Sequence, residues 1–569
     1  MKKCVSISNC LRWAGVGVWL LLGIPSGVVW AQNPAPAWQN ALALGQEDGS
    51  ITQVEAVAAD EDGNVYITAD FDGTVVVGST TLSTTSGSAD VLVAKWRTNT
   101  GTWAWAVSAG APNLDDLPFG IAVSDEAVYV TGVFQGTASF GALTLTSQGS
   151  ADIFVAKLVE VGQTAHFAWV QRAGGAGFNI GRSVAVRGRS VYVSGNFSGT
   201  ADFGATTLTS VGGSDAFVTK LTDTEHGARF EWAQRAGGPG SDRFAGLALN
   251  GSAVYLTGFF TGTADVGATT LTSAGGSDGW VARLTDTGRS GRFDWAQRLG
   301  GSGNDRANGI AARGPNVYVT GFFKNTADFG PTTLVSAGGV DAFVVKLTDA
   351  GRSGRFEWVQ RTSGPSNEVG NAIAVRGKSV YITGFFINTI SLGPVITLTS
   401  NSGRADVLVA KLTDTGPSGR FEWAQLAGGP DVDDGNALAV SGSTVYVVGG
   451  VFPPASFGSF AVASPALVVG FLAVLREGDK DGAELDRALN CYPNPAHATL
   501  RVALSTLPGS ASAILTVLNA QGLPVRTQQV PLPAAGETIE LSLSGLPAGL
   551  YWLRVQAGGQ QASRALVVE

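Results

Sequence analysis

Carboxylates are the side chains with which this chain could do chemistry. Glu47, Asp48, Asp115, Asp116, Asp242, Asp305, Glu368, Asp431, Asp433 and Asp434 all fall in short connections that recur along the sequence. Gathered on one face, such a crown would hold calcium through hard oxygen ligands, or accept hydrogen bonds from a cationic or hydroxyl-rich ligand. Asp431-Val-Asp-Asp-Gly435 is the densest cluster, which makes Asp431, Asp433 and Asp434 the metal candidates. Asp115, Asp116, Asp242, Asp305 and Glu368 are the candidates for a ligand-binding face. Solvated acidic loops on a secreted protein are the plainer reading of the same residues. Other chemistry finds less support. The histidines, His166, His226 and His497, show no metal-ligand spacing, and no nucleophile motif stands out. The Gly-Gly-x-Gly turns lie in all-β surroundings and form no dinucleotide site. A carboxylate pair for glycosidic cleavage can be drawn in any acidic crown, so an enzyme acting on polysaccharide stands only as the alternative.

What must position those connections is a repeat. Val254-Tyr-Leu-Thr-Gly-Phe-Phe260 returns along the chain, with counterparts of its tyrosine at Tyr66, Tyr129, Tyr192, Tyr318, Tyr381 and Tyr446. Successive gaps are 63 residues five times and then 65, the mark of one supersecondary unit used in tandem. Within residues 229–292, period-two stretches separated by turn residues predict four strands. They run through Phe230–Arg235, Ala245–Leu249, Val254–Gly258 and Gly279–Leu284, with a longer excursion over 261–273. Repeated four-stranded antiparallel units without helical periodicity predict a seven-bladed β-propeller over residues 36–476.

The two ends fit a closed ring. The first unit opens on Trp38-Gln-Asn-Ala-Leu42, equivalent to the Trp232 strand, whereas the last ends after Ala466–Leu475 with no such strand following. The Trp38 segment is therefore expected to complete the last blade, leaving no open sheet edge. An open solenoid, the alternative, would leave both ends unpaired.

Repetition also filters function, because an active site is one asymmetric cluster. Asp90, Asp152, Asp215, Asp278, Asp341 and Asp406 precede the third strand of their units and read as turn-fixing residues. The Trp and Tyr series read as inter-blade core with a polar tip. A second face collects Arg187, Arg189, Arg289, Arg292, Arg313, Arg352, Arg355, Arg376, Lys378 and Arg420, partly offset by Asp223, Asp286, Asp349 and Asp414; salt-laced turns are the simpler account of it.

The units resemble the bacterial β-propeller repeat family often labelled SBBP. The resemblance rests on Trp-Ala-Gln-Arg before Gly-Gly, on Val-Tyr-Val-Thr-Gly-Phe-Phe, on Gly-Thr-Ala-Asp-Phe-Gly with Thr-Leu-Thr-Ser, and on Asp-Ala-Phe-Val-Val-Lys-Leu. It implies a scaffold and brings no defined activity.

The net charge of −8 and pI near 5.1 speak against nucleic acid, which needs a basic face. Residues 1–31 have the pattern of a secretory signal peptide: Lys2, Lys3 and Arg12, an apolar run broken by Gly and Pro, then Val29-Trp30-Ala31. No transmembrane segment is expected in the mature chain, and Cys491 would be its sole cysteine, excluding an intrachain disulfide. Residues 477–490 are polar and suit a linker. From 491 to 569, short alternating stretches and turns predict a small immunoglobulin-like β-sandwich. Tyr492-Pro-Asn-Pro-Ala496, Val517-Leu-Asn-Ala-Gln-Gly522 and Leu546-Pro-Ala-Gly-Leu-Tyr-Trp-Leu-Arg-Val555 are similar to the type A sorting domain of the type IX (Por) secretion system. Carried onto this chain, the resemblance makes Tyr492, Pro493, Asn494, Pro495, Gly549, Leu550 and Tyr551 the sorting motif. It implies type IX secretion machinery as partner, passage to the outer-membrane surface, and removal of the domain there. The expected role is non-enzymatic binding or adhesion, with surface lipopolysaccharide or an extracellular glycan or protein as ligand; a structural surface-layer component is a further alternative.

Overall fold

The computed structural model describes residues 35–44, 50–84, 87–124, 127–224, 227–477, 489–493, 495–503, 512–519, 524–531, 538–557 and 560–569. Glu47, Asp48, Asn494 and the signal segment 1–31 lie outside them. The described chain is all-β and propeller-like, and every ladder between its strands is antiparallel.

The unit predicted over 229–292 appears as a meander. An inner strand Arg243–Asn250 pairs with Ala253–Phe260, that with Asp278–Asp286, and that with the outer strand Gly291–Gly301. The inner strands of successive units are Ile51–Ala59, Leu117–Ser124, Ile180–Arg187, Arg243–Asn250, Arg306–Arg313, Glu368–Arg376 and Asp434–Ser441. Each packs on the next, and Asp434–Ser441 packs on Ile51–Ala59. Trp38–Leu44 pairs with Val469–Arg476 as the fourth strand of the last unit, so the two ends of the repeat array meet in one sheet. Trp38 is 5% exposed and donates its indole N–H to the Leu426 carbonyl at 3.2 Å.

The excursion that lengthens the repeat is a hairpin, Thr263–Val266 with Thr269–Thr272. It reaches back to the outer strand of the preceding unit, where Gly237 pairs with Asp265 and Ala236 with Val266. Ala264 and Val266 enter the apolar cluster between the two units while their neighbours face solvent, the period-two rule at work.

Polar tips lock each unit to the next. In the second unit the Tyr129 hydroxyl, the Lys157 ammonium and the Trp169 indole N–H all donate to Asp223 of the third, at 2.8, 2.6 and 2.8 Å. Burial would raise the Asp223 pKa, but Lys157 and the hydrogen bonds from Tyr129 and Trp169 outweigh it and hold the carboxyl below its usual range. The arrangement recurs at Asp286 and Asp414 and, with Arg283 in place of lysine, at Asp349. The aspartates expected to offset a basic face are thus clamps between units. Several of the arginines assigned to that face pair locally instead, Arg292 with Asp294, Arg355 with Glu357 and Arg420 with Glu422.

The expected linker begins one residue too early. Glu477 accepts hydrogen bonds from Lys411, Tyr381 and Trp423 at 2.5, 2.7 and 2.8 Å, so it is the clamp carboxylate of the last interface and part of the repeat array. Beyond it, the described residues of 489–569 form two sheets, one of Asn490–Tyr492, Thr499–Ala503 and Thr538–Ser542, the other of Pro524–Pro531, Ser512–Leu518, Gly549–Ala557 and Gln560–Val568. Leu500 and Leu541 of the first share an apolar cluster with Leu515, Leu553 and Leu566 of the second, which packs the sheets face to face.

Candidate ligand-binding site at the channel mouth

All the inner strands carry a β-bulge at the same place. The register slips between Val54 and Ala56, Pro118 and Gly120, Gly181 and Ser183, Phe244 and Gly246, Ala307 and Gly309, Gly370 and Ala372, and Gly435 and Ala437. A bulge leaves one residue unpaired and re-aims its side chain. Here the bulged residues are Glu55, Phe119, Arg182, Ala245, Asn308, Asn371 and Asn436, and together they line one cavity of about 500 Å³ on the ring's axis. The residue after each bulge is small because the neighbouring inner strand passes close by; a Cβ on Gly309 would sit 3.0 Å from the Asn371 carbonyl oxygen.

Three of those residues have a structural task. Asn308 donates to the Gly370 carbonyl at 3.0 Å, Asn371 to the Gly435 carbonyl at 3.2 Å, and Asn436 to the Val54 carbonyl at 3.1 Å. Asparagine at the bulge therefore laces one inner strand to the next. Glu55, Phe119, Arg182 and Ala245 depart from that pattern, and the departures face each other across the cavity.

Two residues before the bulge, Arg243, Arg306 and Asp434 line the same space. One wall is cationic. Arg182 stacks 4.9 Å from the Phe119 ring centre, while Arg243 and Arg306 lie 4.8 and 4.5 Å from that of Phe259. Burial, then the charges of Arg182 and Arg306, lower the Arg243 pKa to about 9. The facing wall is acidic. Burial, reinforced by Asp70 and Asp434, pushes Glu55 up to about 8. Burial likewise raises Asp434 to about 7, although Asn371 donates to it at 2.8 Å. At neutral pH these two acids are largely or partly protonated and can both donate and accept hydrogen bonds.

The acidic crown expected from the sequence does not assemble. Asp116, Asp242, Asp305, Glu368 and Asp433 are no more than 1% exposed. Asp242 accepts the amide N–H of Gly238 at 2.8 Å and that of Thr261 at 3.1 Å; Asp116, Asp305 and Asp433 do the same with Ala111 and Gln135, Gly301 and Lys324, and Gly429 and Phe452. Glu368 faces the Thr362 hydroxyl at 3.4 Å. These carboxylates staple the connection between units because buried backbone N–H groups need acceptors. Asp115 stays exposed and caps the Ala89 amide at 3.1 Å. The metal candidates separate as well: Asp431 is exposed, Asp433 is tied to backbone, and Asp434 points into the channel. No group of three or more His, Cys, Asp or Glu suited to a metal ion exists among the described residues. Asp152, Asp215, Asp278, Asp341 and Asp406 fix turns as expected, Asp215 accepting the Val211 amide at 3.1 Å and Arg235 at 2.5 Å.

Except for Asp434, the channel residues escape a search for chemical motifs. The available signal was the repeat itself: with the units aligned on the small inner-strand residue, the position before it reads Glu, Phe, Arg, Ala, Asn, Asn, Asn.

In the terminal domain the two halves of the sorting motif converge. The Ala496 amide donates to Val567 at 2.8 Å and the Glu569 amide to Ala496 at 2.9 Å, joining the segment after Pro495 to the last strand. Tyr492 is 47% exposed, whereas Tyr551 is buried and donates its hydroxyl to the Pro547 carbonyl at 2.8 Å. Gly549 and Leu550 pair with Val568 and Val567.

No curated protein sequence matches the chain. Among solved structures, Trypanosoma rangeli sialidase aligns at 7% identity over 93% of this chain and 89% of its own, with a TM-score of 0.31. Drosophila Semaphorin 2a aligns at 8% identity over 94% and 99%, with a TM-score of 0.35. At such TM-scores neither likeness carries an argument about this chain. No helix among the described residues is long and apolar enough to cross a membrane. Residues 490–569 match the family described as the secretion system C-terminal sorting domain, and this domain directs the protein through the type IX system to the cell surface or outside.

Proposed function

We propose that the chain is an exported, non-enzymatic binding protein. A seven-bladed β-propeller of SBBP-like repeats presents one ligand site at its channel mouth, and an immunoglobulin-like sandwich at the C-terminus, of the type A sorting kind, serves export. A signal peptide over residues 1–31 supplies the first step across the inner membrane. One observation carries the reading of the site. The bulge ring is structurally equivalent in every unit, yet only Asn308, Asn371 and Asn436 use it to hydrogen-bond the backbone of the next inner strand; the other four positions carry side chains that make no such bond. Ala245 leaves room beside Arg182, and a cavity of this size with a few convergent polar groups fits a small ligand or the end of a chain. The partner is a surface or extracellular glycan or protein, lipopolysaccharide included.

Arrays of glycans and surface proteins probed with the full-length protein and its Ala245→Trp variant test this. Binding that the tryptophan abolishes is the expected result; binding that ignores it removes the site.

A second reading, a polysaccharide hydrolase or lyase, is favoured by Glu55 and Asp434 sharing the cavity with raised pKa values. Release of reducing sugar by the native protein and not by Glu55→Gln would establish it.

A further inference from the structure

Three guanidiniums share the channel mouth, and Glu55 is a carboxylate whose charge supports only the first of them, Arg182. Arg182, Arg243 and Arg306 form no ion pair among the described residues; the charge of Arg306 lowers the proton affinity of Arg182, and those of Arg182 and Arg306 lower that of Arg243. Aromatic stacking places them instead, Arg182 on Phe119 and both Arg243 and Arg306 on Phe259. A guanidinium lying over a ring keeps its N–H edges free, and those edges match a planar anion in a two-point contact. The Nε atoms of Arg243 and Arg306 are buried without a hydrogen-bond partner. Buried donors are almost always satisfied, and burying like charges together destabilises a fold, so these unmet groups point to an external anion.

The opposite wall narrows the class. Glu55, Asp434 and Asn371 offer hydrogen bonds of the kind hydroxyl groups meet, while Phe322 and Phe385 add apolar faces. Anionic at one end, hydroxyl-rich at the other and apolar on its flat faces describes a sugar ring bearing an acid group.

We propose that the channel mouth binds an acidic saccharide, its carboxylate or sulfate seated on Arg182, Arg243 and Arg306 and its hydroxyls on the Glu55–Asp434 wall. This rests on the channel mouth being the ligand site and adds the charge of the ligand to it.

Calorimetric titration of the full-length protein with uronate oligomers, sulfated oligomers and the neutral counterpart of each tests the assignment and separates the two acid groups. At least one acidic series binds, its neutral counterpart binds tenfold or more weakly, and added salt weakens the interaction. Arg243→Ala and Arg306→Ala each lower affinity by about tenfold or more. Because these cations repel one another, both variants keep or raise the melting temperature, which separates lost binding from lost folding. Equal binding of neutral and acidic oligomers, full affinity in both arginine variants, or no binding of any acidic oligomer would overturn the proposal. A neutral ligand that Ala245→Trp excludes but the arginine variants retain overturns the charge assignment alone. An acidic ligand that binds Ala245→Trp as tightly as the native protein removes the site itself.

Discussion

Lys411 Nζ lies 2.5 Å from Glu477 Oε1 at the point where the repeats end. The lysine side chain is 1% exposed, and the same carboxylate takes the Tyr381 hydroxyl and the Trp423 indole N–H. A residue that reads as the start of a linker therefore closes the last interface.

Glu477→Ala removes the carboxylate that faces a buried ammonium and takes the acceptor from two further donors. Removing one partner of such a pair costs about 3–5 kcal/mol, so denaturant melts of the full-length variant should show a large loss. Glu477→Gln keeps acceptor capacity for Tyr381 or Trp423 and should cost less. Equal stability of Glu477→Ala and the native chain would show that the clamp contributes nothing.

Stability should also follow pH in a definite direction. Burial, with Asp215 and Asp278 close by, raises Asp242 and Asp305 to about 6; Asp116 and Asp433 stand near 7 and Glu368 near 8. The folded state thus holds protons the unfolded chain would release near pH 4. This contribution is complete below about pH 4 and disappears as pH rises through about 6 to 8. Asp223, Asp286, Asp349, Asp414 and Glu477 are depressed by their clamp partners against the effect of burial, so their contribution exists above about pH 4 and fades below it. Scanning calorimetry should place the highest melting temperature in mild acid. A melting temperature still climbing between pH 6 and 9 contradicts the scheme.

The third unit suggests how to remove part of that dependence. At the position of Asp242 it carries Asn179, which is fully buried and donates to Asp152 at 3.0 Å, the role a protonated acid would play. Asp242→Asn should fold normally and lose less melting temperature than the native protein between pH 6 and 8. Asp242→Leu, which leaves the Gly238 and Thr261 amides without an acceptor, should destabilise by about 1–3 kcal/mol per orphaned group.

Asn371→Ala probes the lacing. It removes bonds to the Gly435 carbonyl and to Asp434, so a loss of about 1–2 kcal/mol is expected in urea melts. Losing that donor should also move the Asp434 pKa further up, visible by carboxyl titration in NMR spectra. Ala245→Gly, at the equivalent position without such bonds, serves as the comparison and should change stability by less.

Export offers a test independent of the propeller. Deleting residues 490–569 should leave the protein in the periplasm, detected by fractionation, because the machinery of the outer membrane then has no sorting domain to engage. Appearance of the deleted form at the surface would contradict this.

Much of the architecture was legible before any coordinates. Period-two patterning specifies strands locally, and a tyrosine recurring every 63 residues states that one unit is reused, so the strand order and the meeting of Trp38–Leu44 with the final unit follow from counting. The terminal domain announces itself through contiguous motifs such as Tyr492-Pro-Asn-Pro-Ala496, for the same reason: the information is local. What tertiary structure alone decided is where each acid goes. Asp116, Asp242, Asp305 and Asp433 look like a solvent-facing crown because a sequence shows charge and not the backbone amides that wait for it; folded, each is consumed by two N–H groups. Arg182, Arg243 and Arg306, 61 and 63 residues apart, belong to no motif in the sequence; the inner strands, each with its bulge, bring them to a common axis. Spacing in sequence records the repeat, whereas convergence at a ring's centre is a property of closing it.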